Sequence, residues 1–287
     1  AARLPTWFRE LPSGGVRARI AATVATSLRT ISDRSIVVAV APERGGRVAQ
    51  ITIGGVDLLV GPGEGRPDPS APLAWGSYPM VPWAGRIRRG LFEFDGQPYR
   101  LDINHENHAI HGIGFDRPWQ VTCHDASSIE MELDMSRDPR WPFGGCAHQR
   151  IEVEDDAVSM HLSVTAGEHA MPVSIGWHPW FRKPDSIDFR PHAMYRRDDD
   201  YITVDELVDV PDAPFDDCFV NDRPVRFTRD GVSVLLVSAC TDWVVYDMPP
   251  HATCIDPQTA PPDAFTIRPY VLPPGASLSA RYEITMT

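Results

Sequence analysis

Lysine is almost missing from this 287-residue chain: of 27 basic residues only Lys183 is a lysine, and the rest are arginines. Positive charge as a whole is scarce, with 39 acidic residues giving a formal net charge of -12. A chain of that sign lacks the basic footprint that holds a nucleic-acid backbone, so no nucleic-acid partner is expected. Cysteine is sparse too. Cys123, Cys146, Cys218, Cys240 and Cys254 lie far apart with no CxxC pair, which excludes a zinc ribbon and a dense disulfide framework. Their odd number fits a reducing compartment. No apolar run approaches the roughly 20 residues that span a bilayer, and Ile20 to Thr26 is too short and too rich in threonine for a secretory signal. A soluble, cytoplasmic chain with no membrane partner is the expectation. Long stretches of 3.6-residue periodicity are absent as well, which argues against an α/β barrel or a doubly wound sheet, since both need repeated helices.

What the chain does contain is a succession of short strand patterns. Ile36 to Val40 is a β-branched run closed by Pro42 and Gly45-Gly46, and Val48 to Ile53 is closed by Gly54-Gly55. Leu91-Phe-Glu-Phe94, the turn pair Asp95-Gly96 and Tyr99 to Leu101 read as a hairpin. Alternating or β-branched segments recur at 129–133, 149–153, 158–164, 233–237, 243–246 and 278–284. With 43% apolar residues there is enough material for one large core. The expected fold is all-β, a large antiparallel β-sandwich forming a single domain over residues 35–287. Residues 1–34 read as an N-terminal extension of unknown role, expected to add a strand or to lie across the surface.

Four segments place titratable residues beside turn residues, where a β scaffold exposes them at strand ends or on a concave face. Within Gly76 to Gly90, prolines and small residues precede Arg86, whose guanidinium suits bidentate hydrogen bonding to hydroxyls. The bland alternative is a surface loop with solvated arginines. In Asn104 to Trp119 the spacing of His105, His108 and His111 invites a metal reading, but Gly112 and Gly114 oppose the helix that would gather the three, and no Cys or acidic partner completes the set. A single histidine beside Gly112 at a pocket lip is the better candidate. In Gly176-Trp-His-Pro-Trp-Phe181, His178 sits between two tryptophans. On residue types alone it reads slightly more readily as a core histidine than as a proton donor beside aromatic faces that stack on sugars. The acidic residues Asp216, Asp217, Asp256 and Asp263 lie beside prolines or aromatics and each also reads as a turn carboxylate.

The order and spacing of these segments carry more than each alone. Ala84-Gly-Arg-Ile87, Ile110-His-Gly-Ile113, Gly176-Trp-His-Pro-Trp-Phe181, Asp216-Asp-Cys-Phe219, and Asp256-Pro-Gln-Thr259 with Pro262-Asp-Ala264 together resemble the aldose 1-epimerase (galactose mutarotase) family. The hairpin Gly90 to Gly96 matches as well, and the likeness runs from about Ser35 to the C-terminus.

The resemblance implies a galactose mutarotase-like supersandwich with a sugar in a cleft on one concave sheet, and an interconversion of α and β anomers that uses no metal and no cofactor. By position, His178 corresponds to the general acid at the ring oxygen. Arg86 and His111 correspond to residues that orient the sugar, and Asp216 to a carboxylate that holds ring hydroxyls. Asp256 stands where the family has its glutamate base, shortening the side chain by one methylene. Acid and base are expected on opposite sides of the ring, and Trp177 or Trp83 is expected as a cleft wall. Three activities stay open: an aldose 1-epimerase acting on a free hexose or related aldose, a hexose-6-phosphate 1-epimerase if Arg86, Arg88 and Arg89 converge on a phosphate, and a non-catalytic carbohydrate-binding protein on the same fold. The partner is in each case a small-molecule sugar, with a monomer or homodimer expected.

Overall fold

The computed structural model describes residues 28–64 and 72–287. Among these, two large sheets dominate, one of eleven strands and one of eight. Their strand pairs are antiparallel throughout, as in the pairing of Cys146–Glu154 with Ala157–Thr165 and of Ala157–Thr165 with Ser277–Met286. The alternating segments read from the sequence at 129–133, 149–153, 158–164, 233–237 and 278–284 all fall in strands of the eight-stranded sheet. In Ala157–Thr165, Val158, Met160, Leu162 and Val164 are buried while the residues between them are at most partly covered, apart from Ser159. One face of this sheet meets the core and the other meets water, which is the arrangement that writes a clean period of two into a sequence.

The eleven-stranded sheet runs in space from Arg29–Asp33 through Ile36–Ala41, Arg47–Ile53, Ser77–Met80, Gly176–Arg182, Ala252–Gln258, Asp242–Tyr246, Asp216–Val220 and Ala193–Arg197 to Thr203–Val208, with Val56–Asp57 paired to the side. Its central strands are covered on both faces. All seven residues of Ala252–Gln258 and the first six of Gly176–Arg182 are buried. The inner face packs on the second sheet: Trp177 meets Tyr282 at 5.9 Å between ring centroids, Trp243 meets Tyr282 at 6.2 Å, and Phe181 meets Phe227 at 4.9 Å. The fold is therefore a large antiparallel β-sandwich, as the sequence implied. Its first strand begins at Arg29, ahead of the Ser35 boundary read from the sequence, and so part of the N-terminal segment supplies an added edge strand. Residues 1–27 of that segment lie outside the described residues.

The hairpin Leu91–Phe94 and Gln97–Arg100 forms as expected, in register Phe94 with Gln97. Asp95 and Gly96 both take positive φ, 50° and 67°, the combination that a tight two-residue turn between twisted strands requires. No described helix is long and apolar enough to cross a membrane.

Candidate active site

The outer face of the eleven-stranded sheet carries a cavity of about 320 Å³, at the small end of ligand sites. Its floor follows from strand parity. Register pairs Gly176 with Gln258 and Trp180 with Cys254, which sets His178 opposite Asp256 although no ladder pairing is made between those two. Pro179 and Pro257 sit at this interruption and have no N–H to contribute to it. The next strand pairs Val244 with Asp256 and Tyr246 with Cys254, and the one beyond pairs Asp216 with Tyr246. On the other flank Tyr78 pairs with His178. Tyr78, His178, Trp180, Asp256, Val244, Tyr246 and Asp216 therefore share one face and line the same cavity.

Gly176 is needed for this closeness. A Cβ there would lie 2.5 Å from the carbonyl oxygen of Pro257 and 2.8 Å from the Cβ of Gln258, so only glycine lets the two central strands approach.

Loops supply the walls. Arg86 and Ile110 pair across a two-stranded ribbon, and the amide of His111 donates to the carbonyl of Gly85 at 3.0 Å. Asn104 holds the strand beside it, accepting from the Ile110 amide at 2.7 Å and donating to the Ile110 carbonyl at 3.0 Å. His111 and Gly112 both adopt left-handed backbone, φ 60° and 74°. For a histidine that conformation carries local strain, held here by the surrounding bonds. The ribbon is locked to the chain's late acidic segment: the Asp263 amide donates to the Arg86 carbonyl, and the buried Asp263 carboxylate accepts from the Arg88 amide at 2.9 Å.

At the centre, His178 Nε2 and Asp256 Oδ2 are 3.5 Å apart and both side chains are buried. The imidazole of His178 stacks with Tyr78 at 4.9 Å and with Trp180 at 5.5 Å, with His111 edge-on at 4.8 Å. Burial drives the Asp256 carboxyl well above the usual carboxylate range, because the charged form loses its hydration. Its Oδ1 is buried with no hydrogen-bond partner among the described residues. Burial, then the neighbouring His178 and Arg86, hold His111 well below the usual imidazole range, so it is neutral near pH 7. The half-buried Asp216 is also raised by burial, against the pull of Arg197 and Arg86. Arg197 bridges the neighbouring carboxylates, 3.2 Å from Asp216 and 2.8 Å from Asp217.

Five of the six residues singled out in the sequence, Arg86, His111, His178, Asp216 and Asp256, border this one cavity although they come from distant parts of the chain. Trp177 does not. It points to the opposite face of its strand, into the core, where its indole N–H donates to Gln149 at 3.2 Å. Trp83 is likewise a core residue, packed on Trp141 at 5.7 Å. The aromatic wall is Trp180, which shares parity with His178. His178 and Asp256 stand side by side on neighbouring strands rather than on opposite sides of the cavity.

Of the three histidines that invited a metal reading, His105 and His111 border the cavity, whereas His108 Nδ1 accepts from the Arg89 amide at 3.2 Å. Arg88 turns to Asp198 at 2.6 Å and Asp200 at 3.2 Å, and Arg89 to Asp200 at 3.2 Å. Tyr78, His105, Glu106, Trp180 and Tyr246 also border the cavity. For Trp180 a signal was available in its position two residues from His178, which a strand puts on the same face, whereas Tyr246 is placed only by its strand pairing with Asp216.

Comparison with known proteins agrees with this architecture. A family model described as aldose 1-epimerase matches residues 27–285. The Escherichia coli protein YphB, itself uncharacterized, is 31% identical over 111 residues, a match spanning 36% of either chain. Among solved structures, a galactose mutarotase-like protein from Clostridium acetobutylicum superposes with a TM-score of 0.79 at 17% identity, covering 90% of this chain and 94% of that one. An aldose epimerase homologue from Caenorhabditis elegans gives 0.77 at 17% identity over 91% and 98%. The structures speak for the fold, and the family model, which reaches every strand of both sheets and takes in the whole lining of the cavity, speaks for descent: the chain belongs to the aldose 1-epimerase family.

Proposed function

We propose that the protein is an aldose 1-epimerase acting on a free hexose or related aldose, with Asp256 as base and His178 as acid. The observation that carries this is the 3.5 Å separation of His178 Nε2 and Asp256 Oδ2 on the floor of a sugar-sized cavity. The anomeric hydroxyl and the ring oxygen of a cyclic hemiacetal are both bonded to C1, so two groups this close reach both at ordinary hydrogen-bond length. Asp256 takes the proton of the anomeric hydroxyl while protonated His178 gives one to the ring oxygen, and the C1–O bond of the ring breaks to leave an open-chain aldehyde. Rotation about C1–C2 presents the other carbonyl face. Ring closure then returns a proton from Asp256 to the new anomeric hydroxyl, and His178 recovers its own. Neutral His111 and the Arg86 guanidinium, at the cavity wall, orient ring oxygen and hydroxyls, Asp216 accepts from hydroxyls, and Trp180 offers its face to sugar C–H groups.

A free sugar fits better than a phosphorylated one. Of the three arginines in the loop only Arg86 borders the cavity. Arg88 and Arg89 are already matched to carboxylates, so a phosphate there would displace Asp198 and Asp200. NMR exchange between anomers, measured on free and 6-phosphorylated aldoses, tests the reading. Exchange of a free aldose well above its spontaneous rate, lost on Asp256→Asn by a factor of about 10² to 10⁴, is the expected result. Sugar binding with no exchange above the spontaneous rate would leave a carbohydrate-binding protein instead.

A further inference from the structure

Beneath the cavity, Cys254 joins the catalytic pair. One ligating atom from each of His178, Cys254 and Asp256 lies within 4.8 Å of the other two, and all three residues are buried. Cys254 and Asp256 are two residues apart on one strand and therefore face the same way. A second observation concerns the other oxygen of the same carboxylate: Asp256 Oδ1 is buried with no hydrogen-bond partner among the described residues, leaving it for a bidentate hold on an ion. A buried carboxylate oxygen in that condition is costly and calls for a partner.

The donor set is specific. Sulfur, imidazole nitrogen and carboxylate oxygen together suit a borderline-soft dication such as Zn²⁺ and do not suit Mg²⁺ or Ca²⁺, which take oxygen donors. Zinc bonds of about 2.0–2.3 Å in a tetrahedron set ligand atoms roughly 3.3–3.7 Å apart. The His178 and Asp256 atoms, at 3.5 Å, already have that spacing. From a widest separation of 4.8 Å the thiol has to close by only about 1 Å, a side-chain adjustment.

We propose that the cavity floor is a site for a Zn²⁺-class ion held by Cys254, His178 and Asp256, with its fourth position open to the sugar cavity. Binding deprotonates the thiol and occupies the lone pairs that His178 and Asp256 need for proton transfer. The ion and the sugar are then mutually exclusive, and soft divalent metal stops anomer exchange competitively. The binding stands on geometry alone, whereas the inhibition rests on the catalytic reading.

Co²⁺ serves as the probe, in protein whose exposed Cys123 and Cys146 are replaced by serine to remove competing thiols. The expected result is a near-ultraviolet thiolate-to-cobalt charge-transfer band with strong visible absorption of tetrahedral Co²⁺, erased by Zn²⁺ and unaffected by Mg²⁺. Cys254→Ser abolishes the band, and Asp256→Asn weakens binding by at least ~10-fold, as loss of a ligand or its support does. If Cys254→Ser fails to fold, the Asp256→Asn titration decides. No band at millimolar Co²⁺, or a band that survives both substitutions, overturns the site. A band sensitive to both, in a protein whose exchange is undisturbed by metal, keeps the site and removes His178 and Asp256 from catalysis.

Discussion

Asp256→Asn is expected to stabilise the protein while it disables it. The side chain is 1% exposed and Oδ1 has no partner among the described residues, so the neutral amide replaces a buried charge without changing shape. An unsatisfied buried polar atom costs about 1–3 kcal/mol, and more when charged. For a chain of this size 1 kcal/mol moves the melting temperature by roughly 2–4 °C, so the variant melts about 2–12 °C above the parent once pH exceeds the raised pKa. The pH dependence gives the sharper signature. Burial raises the folded-state pKa of Asp256 above its unfolded value of about 3.9. Between those two values the folded parent binds more protons than the unfolded chain, and its stability falls as pH rises. The advantage of Asp256→Asn is therefore smallest below about pH 4, grows as pH passes through the raised pKa, and is flat above it. Thermal unfolding of parent and variant from pH 4 to 9 reads the difference directly, with the other titrating groups cancelling. A variant that melts lower than the parent throughout pH 4 to 9 refutes the reasoning: the carboxylate would then be stabilised by its surroundings rather than stranded. The same raised pKa places the acidic limb of the exchange rate above the ordinary carboxylate range, because the base must be ionised to act.

Other residues give further checks. Trp180→Ala removes the aromatic wall and one of the rings stacked on His178, and raises KM for the sugar by roughly 2–10-fold, the worth of one aromatic contact, as steady-state exchange kinetics will show. Gly176→Ala places a Cβ 2.5 Å from the Pro257 carbonyl oxygen and costs about 1–3 kcal/mol by overpacking, measurable by denaturant unfolding, with exchange reduced as the two central strands spread. Arg88→Ala leaves the ratio of rates on free and 6-phosphorylated aldose within a few-fold of the parent, whereas Arg86→Ala lowers kcat/KM on the free sugar by at least ~10-fold, the loss of a charged hydrogen bond. The C2 proton of His111, followed by NMR, keeps its neutral chemical shift from pH 8 down to at least 6.5, the usual imidazole value, since burial holds its pKa well below that.

The second sheet was legible in the sequence because one of its faces is wet. Its strands at 128–134, 146–154 and 157–165 alternate in burial, and the period of two follows directly. The strands that carry the site were not legible as strands. Ser77–Met80, Gly176–Arg182 and Ala252–Gln258 are buried on both faces, so nothing alternates, and each contains a proline, which ordinarily marks an edge strand or a break. They read as turn-rich segments with isolated polar residues. Their place in the order of family motifs, rather than any local pattern, pointed to His178 and Asp256. The choice of Trp177 over Trp180 failed for a related reason: the segment did not read as a strand, so the alternation that puts Trp180 on the face of His178 and Trp177 on the opposite one was not visible locally.

The same doubly buried strands bear on the proposed role of a short carboxylate as the base. Gly176 lets the strand of His178 close onto the backbone of Pro257 and Gln258, and the missing N–H groups of Pro179 and Pro257 interrupt the ladder where the His178 and Asp256 side chains stand opposed. His178 and Asp256 are thus brought within 3.5 Å by backbone approach and strand register. Stacking with Tyr78 and Trp180 and the edge contact of His111 hold the imidazole in place, so the carboxylate is the movable member of the pair. Lengthening it tests this directly. Asp256→Glu adds roughly 1.5 Å of reach to a group already near contact with His178, and a misplacement of about 1 Å costs on the order of a hundredfold in rate. The glutamate variant therefore exchanges anomers more slowly than the parent, with the loss in kcat rather than in KM. A faster Asp256→Glu variant would mean that the aspartate stops short of C1 and that the cavity is built for the longer base.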